Sequence, residues 1–414
     1  MWPDGTFVDF DRSLNFAVAE LRAALRDDAR SPRFIETIPK RGYRFIAEVR
    51  TMEETPAPHA DTRVRRWLGI AAALSLAAVQ LPFHPIAHTR KTAAPEARAA
   101  FDLAMTLSAQ DDAARRRSIA ALRTATRIDP RFAEAHYALG ELYFDLATKR
   151  ELPVDAAMTE ARAAAERAVS LEEAAETHRL LGTIRLVNDW DWRGARHELA
   201  RAVALDPKWD LGFVAYARLL SAEGDDAAAI AAIDRAETLS PNCDLILFEA
   251  GGIYARAGRY DEAIAKLERA IVFGPPHDVT ALDWMRRVRS REFMINMARH
   301  DWRAAHESAT ALVVASGAPA AAQQRFRAMD ANVAVNAFIA RSVGASKAAR
   351  RPAAIQLAAL EAIHGDISSA LDSLERAADD RDPELPFALR DPEFAALKAL
   401  PRFRQLVARI RRSA

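Results

Sequence analysis

Basic and amide side chains are concentrated in two short stretches near the N-terminus, and their spacing suits contact with nucleic acid. Written as a helix, residues 12–27 place Leu14, Val18, Leu21 and Leu25 on one face and Arg12, Asn15, Ala19, Arg22 and Arg26 on the other. Residues 33–46 then read as two short apolar strands around a basic turn at 39–42 that carries Lys40 and Arg41, with Arg44 just beyond. Cationic side chains attract phosphate oxygens and an asparagine amide matches an adenine edge, so a helix followed by a basic hairpin has the layout of a DNA-docking element. The plainer reading of the same face is a solvated helix surface. Elsewhere candidates are sparse. Trp190-Asp191-Trp192, at a turn between helices, either offers a stacking platform or packs on the hairpin beneath it. His300 and His306 flank a helix start beside Asp301, but their separation of six residues puts them on different helical faces, which argues against a metal site. His197-Glu198 lacks the second histidine of a zinc-protease helix. The single cysteine, Cys243, excludes an internal disulfide and a cysteine-built zinc site. With no glycine-rich phosphate loop, nucleophile elbow or paired-carboxylate motif, the expectation is a protein that is not an enzyme and uses no cofactor.

The elements that must carry these residues follow from composition and period. A chain of 414 residues exceeds one ordinary domain, and its richness in alanine and arginine with only 15 glycines favours helix. Since 58 basic residues face 57 acidic ones, no global field points to nucleic acid, and any basic site is local. Arg-Ala-Val-Ala-Leu-Asp-Pro at 201–207, Arg-Ala-Glu-Thr-Leu-Ser-Pro at 235–241 and Arg-Ala-Ile-Val-Phe-Gly-Pro at 269–275 recur with a constant spacing of 34 residues. Within the last unit, Gly251, Tyr254, Ala263, Leu267, Ala270 and Pro275 fall at the small, aromatic, small, large, small and proline positions of the tetratricopeptide (TPR) pattern, which this array resembles. Two antiparallel helices per repeat stack on their neighbours, Gly251 and Ala263 permitting close approach and Tyr254 and Leu267 filling the space between hairpins. Degraded copies of the frame include Gly140 and Tyr143, with a loop insertion expected at 148–154, and helix-period segments continue through Trp302 and Ile355 to Ala377. The tail at 391–410 reads as a capping end.

Residues 67–83 contain no charge and follow Arg63, Arg65 and Arg66. Extended to residue 87 they reach the length of a membrane span, and the arginines before them would hold the N-terminal side in the cytoplasm. The expectation is therefore a single-pass inner-membrane protein with residues 66–87 as the span and the repeat array outside the cytoplasm.

Residues 2–49 resemble the C-terminal half of an OmpR-type winged-helix domain, in the version found in CadC-type membrane-integrated transcriptional regulators. The resemblance is carried by Trp-Pro-Asp-Gly-Thr-Phe-Val-Asp-Phe at 2–10, by Leu21-Arg22 with Ala24-Leu25, and by Pro-Arg-Phe-Ile-Glu-Thr-Ile-Pro-Lys-Arg-Gly-Tyr-Arg-Phe-Ile at 32–46. It implies that Arg12, Asn15 and Arg22 face DNA from a recognition helix while Lys40, Arg41 and Arg44 form the wing. Ala19 and Glu20 depart from the basic residues of many relatives, and the family's N-terminal sheet, first helix and most of its second helix have no counterpart here. Either the chain starts upstream of Met1 or autonomous DNA binding is lost. The expected fold is mostly α: a partial winged helix (α+β) at 1–49, a linker at 50–65, the transmembrane helix at 66–87 and a TPR-type solenoid at 97–414. The implied function is a one-component regulator that binds DNA at one end and a protein or ligand on the repeat surface at the other, with a homodimer as one arrangement. The rival is a membrane-anchored TPR scaffold that no longer binds DNA.

Overall fold

The computed structural model describes residues 33, 35–38, 42–46, 93–107, 112–274, 280–349 and 353–411. The chain divides into two units, Met1–Ala60 and Asp61–Ala414. In the first, β1 (Ile35–Ile38) and β2 (Gly42–Phe45) pair antiparallel with Ile35 opposite Phe45, Glu36 opposite Arg44, Thr37 opposite Tyr43 and Ile38 opposite Gly42. Both strands draw on the β-branched and aromatic residues that suit extended backbone.

The second unit is a run of helical hairpins: α1 (Pro95–Leu107) with α2 (Asp112–Ile128), α3 (Ala133–Thr148) with α4 (Val154–Leu171), α5 (Ala175–Ile184) with α6 (Trp192–Leu205), α7 (Asp210–Glu223) with α8 (Asp226–Leu239), α9 (Asp244–Arg256) with α10 (Tyr260–Phe273), and α11 (Ala281–Ala298) with α12 (Trp302–Ala315). A short α13 (Ala320–Arg327) leads to α14 (Ala331–Ala348), which packs on α12 and then on α15 (Ala354–His364), the first member of a last pair with α16 (Ile367–Asp379). The chain finishes with a single turn, α17 (Leu385–Ala388), a 3-10 turn (Pro392–Leu397) and α18 (Pro401–Arg411).

The turn inside a hairpin has a recurring construction. A residue in the left-handed region ends the first helix, and an aspartate then caps the second by accepting from the backbone N–H three residues on. Asp191 accepts from Gly194 at 2.8 Å, Asp225 from Ala228 at 3.2 Å, Asp301 from Ala304 at 2.9 Å and Asp366 from Ser369 at 3.2 Å. Glycine supplies the positive φ at 224 and 365, where no Cβ crowds the backbone, but Trp190 (φ 57°) and His300 (φ 60°) take the same conformation as non-glycine residues. Ahead of Trp190, α5 widens into a π-helical turn, Arg185–Asp189.

Packing follows the repeat frame. A Cβ built at Gly251 would lie 2.6 Å from Leu267 Cγ and 3.3 Å from the Ala263 carbonyl oxygen, so α9 and α10 touch where the pattern has its small residues. Leu267 and Ala263 are fully buried, and the Tyr254 hydroxyl donates to Asp234 at 2.8 Å, tying α9 to the preceding hairpin. The insertion between α3 and α4 is a loop at 149–153, close to where the sequence places it.

Two expectations are corrected here. Among the described residues no helix is long and apolar enough to cross a membrane, so neither a fold class that includes a transmembrane helix nor a single-pass inner-membrane placement stands. Charged side chains interrupt each of the longest described helices, 18 residues long: α4 carries Asp155, Glu160, Arg162, Glu166 and Arg167, α11 carries Arg286, Arg287, Arg289, Arg291 and Glu292, and α14 carries Arg341 and Lys347. The span expected at 66–87 lies outside the described residues, as does the helix expected at 12–27. The fold that is established is a mostly helical, TPR-like solenoid.

Candidate nucleic-acid interface and the inner face of the array

Of the six residues expected at DNA, Arg12, Asn15, Arg22, Lys40 and Arg41 lie outside the described residues. Arg44 falls in the middle of β2, where the ladder sets its backbone opposite Glu36 of β1. β1 and β2 thus form an antiparallel pair, and the residues between them, 39–41, lie outside the described residues.

In the second unit, polar chemistry gathers on the first helices of the hairpins, and its common element is arginine. Arg179 on α5 is 2% exposed, bonds the Glu141 carboxylate of α3, and lies over the Trp209 ring at 5.7 Å. On α7, Arg218 donates to both oxygens of Glu384 at 3.0 and 3.2 Å, approaches Glu249 at 3.5 Å and covers the Phe387 ring at 4.0 Å. Arg256, at the end of α9, donates to Asp391 at 3.0 Å and to the Ser221 hydroxyl at 2.8 Å. Arg291 on α11 donates to the Phe248 carbonyl at 2.9 Å and stacks on that ring at 3.8 Å.

Burial dominates the electrostatics of this face. It pushes the Glu384 carboxyl up to about 7 despite the Arg218 charge, and Glu393 up to about 8 with Asp391 adding to the rise. Asp382 is also raised by burial, against the pull of Arg150. Arg291 is lowered by burial, which outweighs its attraction to Glu249. For Arg218 burial acts the same way, but Glu384 and Glu249 overcome it and hold the guanidinium more firmly charged. None of these groups stood out in sequence. Several of their partners are distant in sequence, as with Arg218 and Glu384, 166 residues apart, and Arg150 and Asp382, 232 apart, and no local spacing announces such pairs.

The residues singled out in the array have structural employment. Trp190 is buried among the C-terminal elements with the Arg381 guanidinium 3.8 Å above its ring, and Trp192 donates from Nε1 to the Ile410 carbonyl at 2.9 Å. The two indoles therefore anchor the C-terminal end to α6, the packing alternative to a platform. His306 Nε2 lies 2.9 Å from the Phe326 carbonyl, and Asp301 caps α12. Among the described residues no group of histidine, cysteine, aspartate or glutamate is placed to hold a metal ion. Glu198 is buried against His178 Nδ1 at 2.6 Å and Arg185 at 2.8 Å; burial opposes its ionisation, but these partners win and hold its carboxyl below the usual range. Cys243, next to the start of α9, has its thiol pushed up by burial.

Comparison with known proteins gives each unit a relative. Residues 1–45 match the family described as transcriptional regulatory protein, C terminal, and residues 117–146 match the TPR repeat. The chain is 41% identical over 61 residues to the cholera toxin transcriptional activator of Vibrio cholerae, a match covering 15% of this chain and 21% of that protein. It is 40% identical over 64 residues to the cholera toxin homolog transcriptional activator of Vibrio parahaemolyticus, covering 16% and 22%. The chain thus spans only about a fifth of the length of these curated relatives. Among solved structures, PilW, a widely conserved type IV pilus biogenesis factor, is 18% identical with a TM-score of 0.44, covering 54% of this chain and 94% of that one. The pilF protein of Pseudomonas aeruginosa is 17% identical with a TM-score of 0.41, covering 56% and 97%. The chain is therefore one in which an N-terminal segment homologous to the OmpR-type region of transcriptional activators is joined to a TPR array.

Proposed function

We propose that the chain is a one-component transcriptional regulator, in which the N-terminal segment contacts DNA and the repeat array is a protein-interaction or sensing module without enzymatic activity. The observation that carries this reading is the presence, on one chain, of the match at residues 1–45 to a transcriptional regulatory family and of the helical array. Arg12, Asn15 and Arg22 would face the groove while Lys40, Arg41 and Arg44 hold the backbone from the wing. An array of stacked hairpins offers an extended surface for a partner, and a signal bound there reaches the DNA-binding end through the same polypeptide, so no separate kinase is required.

The test is gel-shift titration of the full chain against fragments of its own genome at two salt concentrations. Site-selective binding is expected, and Arg22→Ala should weaken it by about 1–3 kcal/mol if the guanidinium reads a base. Lys40→Ala with Arg41→Ala should weaken binding evenly across sequences and reduce the slope of log affinity against log salt by about 2. Absence of binding to any fragment at low salt overturns the reading.

A further inference from the structure

The last helix, α18, carries arginines on two faces that meet different surroundings. Toward α16, Arg402 pairs with Asp372 and with Glu375, each at 2.6 Å, and Arg409 pairs with Asp379 at 2.9 Å. On the other face, residues 403, 404, 407, 408 and 411 recur at helical spacing and form one wall of a cleft of about 550 Å³. Trp192 at the start of α6, Ala222 near the end of α7, the turn around Leu389 and Lys398 complete it. Here the arginines meet carbonyl groups and no carboxylate. Arg404 Nε donates to the Lys398 carbonyl at 3.4 Å, and Arg411 donates to the carbonyls of Ala222 and Glu223 at 3.5 and 3.4 Å.

Charge and apolar surface are sorted within this cleft. Among the described residues no aspartate or glutamate lines it, and of its four cations Arg390 alone is neutralised, donating to both oxygens of Asp226 at 2.7 and 3.1 Å. Partial burial and then the Arg390 charge lower the Lys398 ammonium from its ordinary value, against the pull of Asp391 and Glu393. The floor is apolar, made by Trp192, Leu389, Phe403 and Val407, and the indole is fixed by its bond to the Ile410 carbonyl. A cleft bordered by one sign of charge focuses its field on a counter-ion, and an apolar floor of this size takes up the body of a small molecule. In a chain whose 58 basic residues are otherwise balanced by 57 acidic ones, Lys398, Arg404 and Arg411 around such a floor are the complement of an anion that also has apolar surface.

We propose that the cleft between α18, the turn at 386–390 and the ends of α6 and α7 binds a small amphipathic organic anion, its hydrocarbon body against Trp192, Phe403 and Val407 and its acid group among Lys398, Arg404 and Arg411. The proposal rests on the reading of the array as a sensing module and names the chemical class of what it senses. Such a ligand bridges α18 to the hairpins of α6 and α7, and so ties the C-terminal end more firmly to the array.

The probe is octanoate, titrated calorimetrically onto the full chain, with acetate and octylammonium as controls for the charge alone and the hydrocarbon alone. Octanoate should bind saturably, at least about tenfold more tightly than either control. Absence of octanoate binding, or equal binding of either control, overturns the proposal. Two substitutions that remove the same charge from opposite faces of α18 locate the site. Arg404→Gln should weaken octanoate at least about fivefold, whereas Arg409→Gln should change it by no more than about twofold. Binding indifferent to Arg404→Gln, or weakened equally by both, would mean a diffuse attraction to charge and would sink the site. Val407→Asp, which brings a carboxylate into the cleft, should abolish binding in a chain whose far-ultraviolet circular dichroism is unchanged; a folded variant that still binds octanoate contradicts the assignment. Should that variant unfold, the comparison of Arg404 with Arg409 decides alone. Gel shifts on the same protein keep the two readings apart, because a chain that binds octanoate at this cleft but retards no DNA retains the site and loses only the regulator.

Discussion

The Arg218–Glu384 pair shows how one contact links chemistry to stability. Glu384 titrates at about 7 when docked, against an ordinary value of 4.5. A carboxyl raised on folding binds more protons in the folded state between those two values, so the stability it contributes is present at low pH and lost as pH rises through about 7. Glu393 extends the same trend towards about 8. The groups facing them are Arg218 and Glu249, Arg256 and Arg291, Asp382 and Asp391, and the arginines remain charged throughout this range. Hydrogen exchange at 380–397, corrected for its intrinsic pH dependence, is therefore expected to show better protection at the acidic end of the window from 4.5 to about 8 than at the alkaline end. Glu384→Gln should flatten the trend, and protection that improves with pH would contradict the assignment. A second test concerns His300, whose left-handed backbone a glycine adopts without strain. His300→Gly should leave the melting temperature unchanged or raise stability by up to about 1 kcal/mol. A clear drop on melting would mean that the imidazole does more than occupy a turn.

At the scale of helices and turns, much of the array is legible because each rule is local. A period of 34 residues, small residues at 251 and 263, and proline just past a second helix are visible without coordinates, and the helices that end at Leu205 and Leu239 stop before Pro207 and Pro241 as expected. The Asp cap after a left-handed residue is equally local, and Asp301 after His300 is an instance of it. Gly251→Trp should wedge α9 from α10, costing several kcal/mol by overpacking where a Cβ alone already meets Leu267 at 2.6 Å. Circular dichroism melting measures this, and an unchanged melting temperature would reject the repeat frame. The course of residues 380–397 was not legible, because its partners Arg218 and Arg256 are far away in sequence and nothing in a run of prolines and acids says what it covers. The span expected at 66–87 rests on the uncharged run at 67–83 and lies outside the described residues, among which no helix is long and apolar enough to cross a membrane.

For the whole molecule, the proposed function joins two activities on one chain: DNA contact from the N-terminal segment and partner recognition by the array. The resemblance at residues 2–49 is legible in unbroken motifs, and the match to a transcriptional regulatory family over residues 1–45 agrees with it. The six DNA-facing residues remain the proposal of that resemblance, with Arg44 alone falling in a described strand. Chromatin immunoprecipitation of the tagged full chain, at its natural level in its own cell, tests this union most directly. The account predicts discrete genomic sites whose enrichment is lost in an Arg22→Ala, Arg44→Ala variant present at the same level. Enrichment that is absent, or is identical for the chain and that variant, would contradict it.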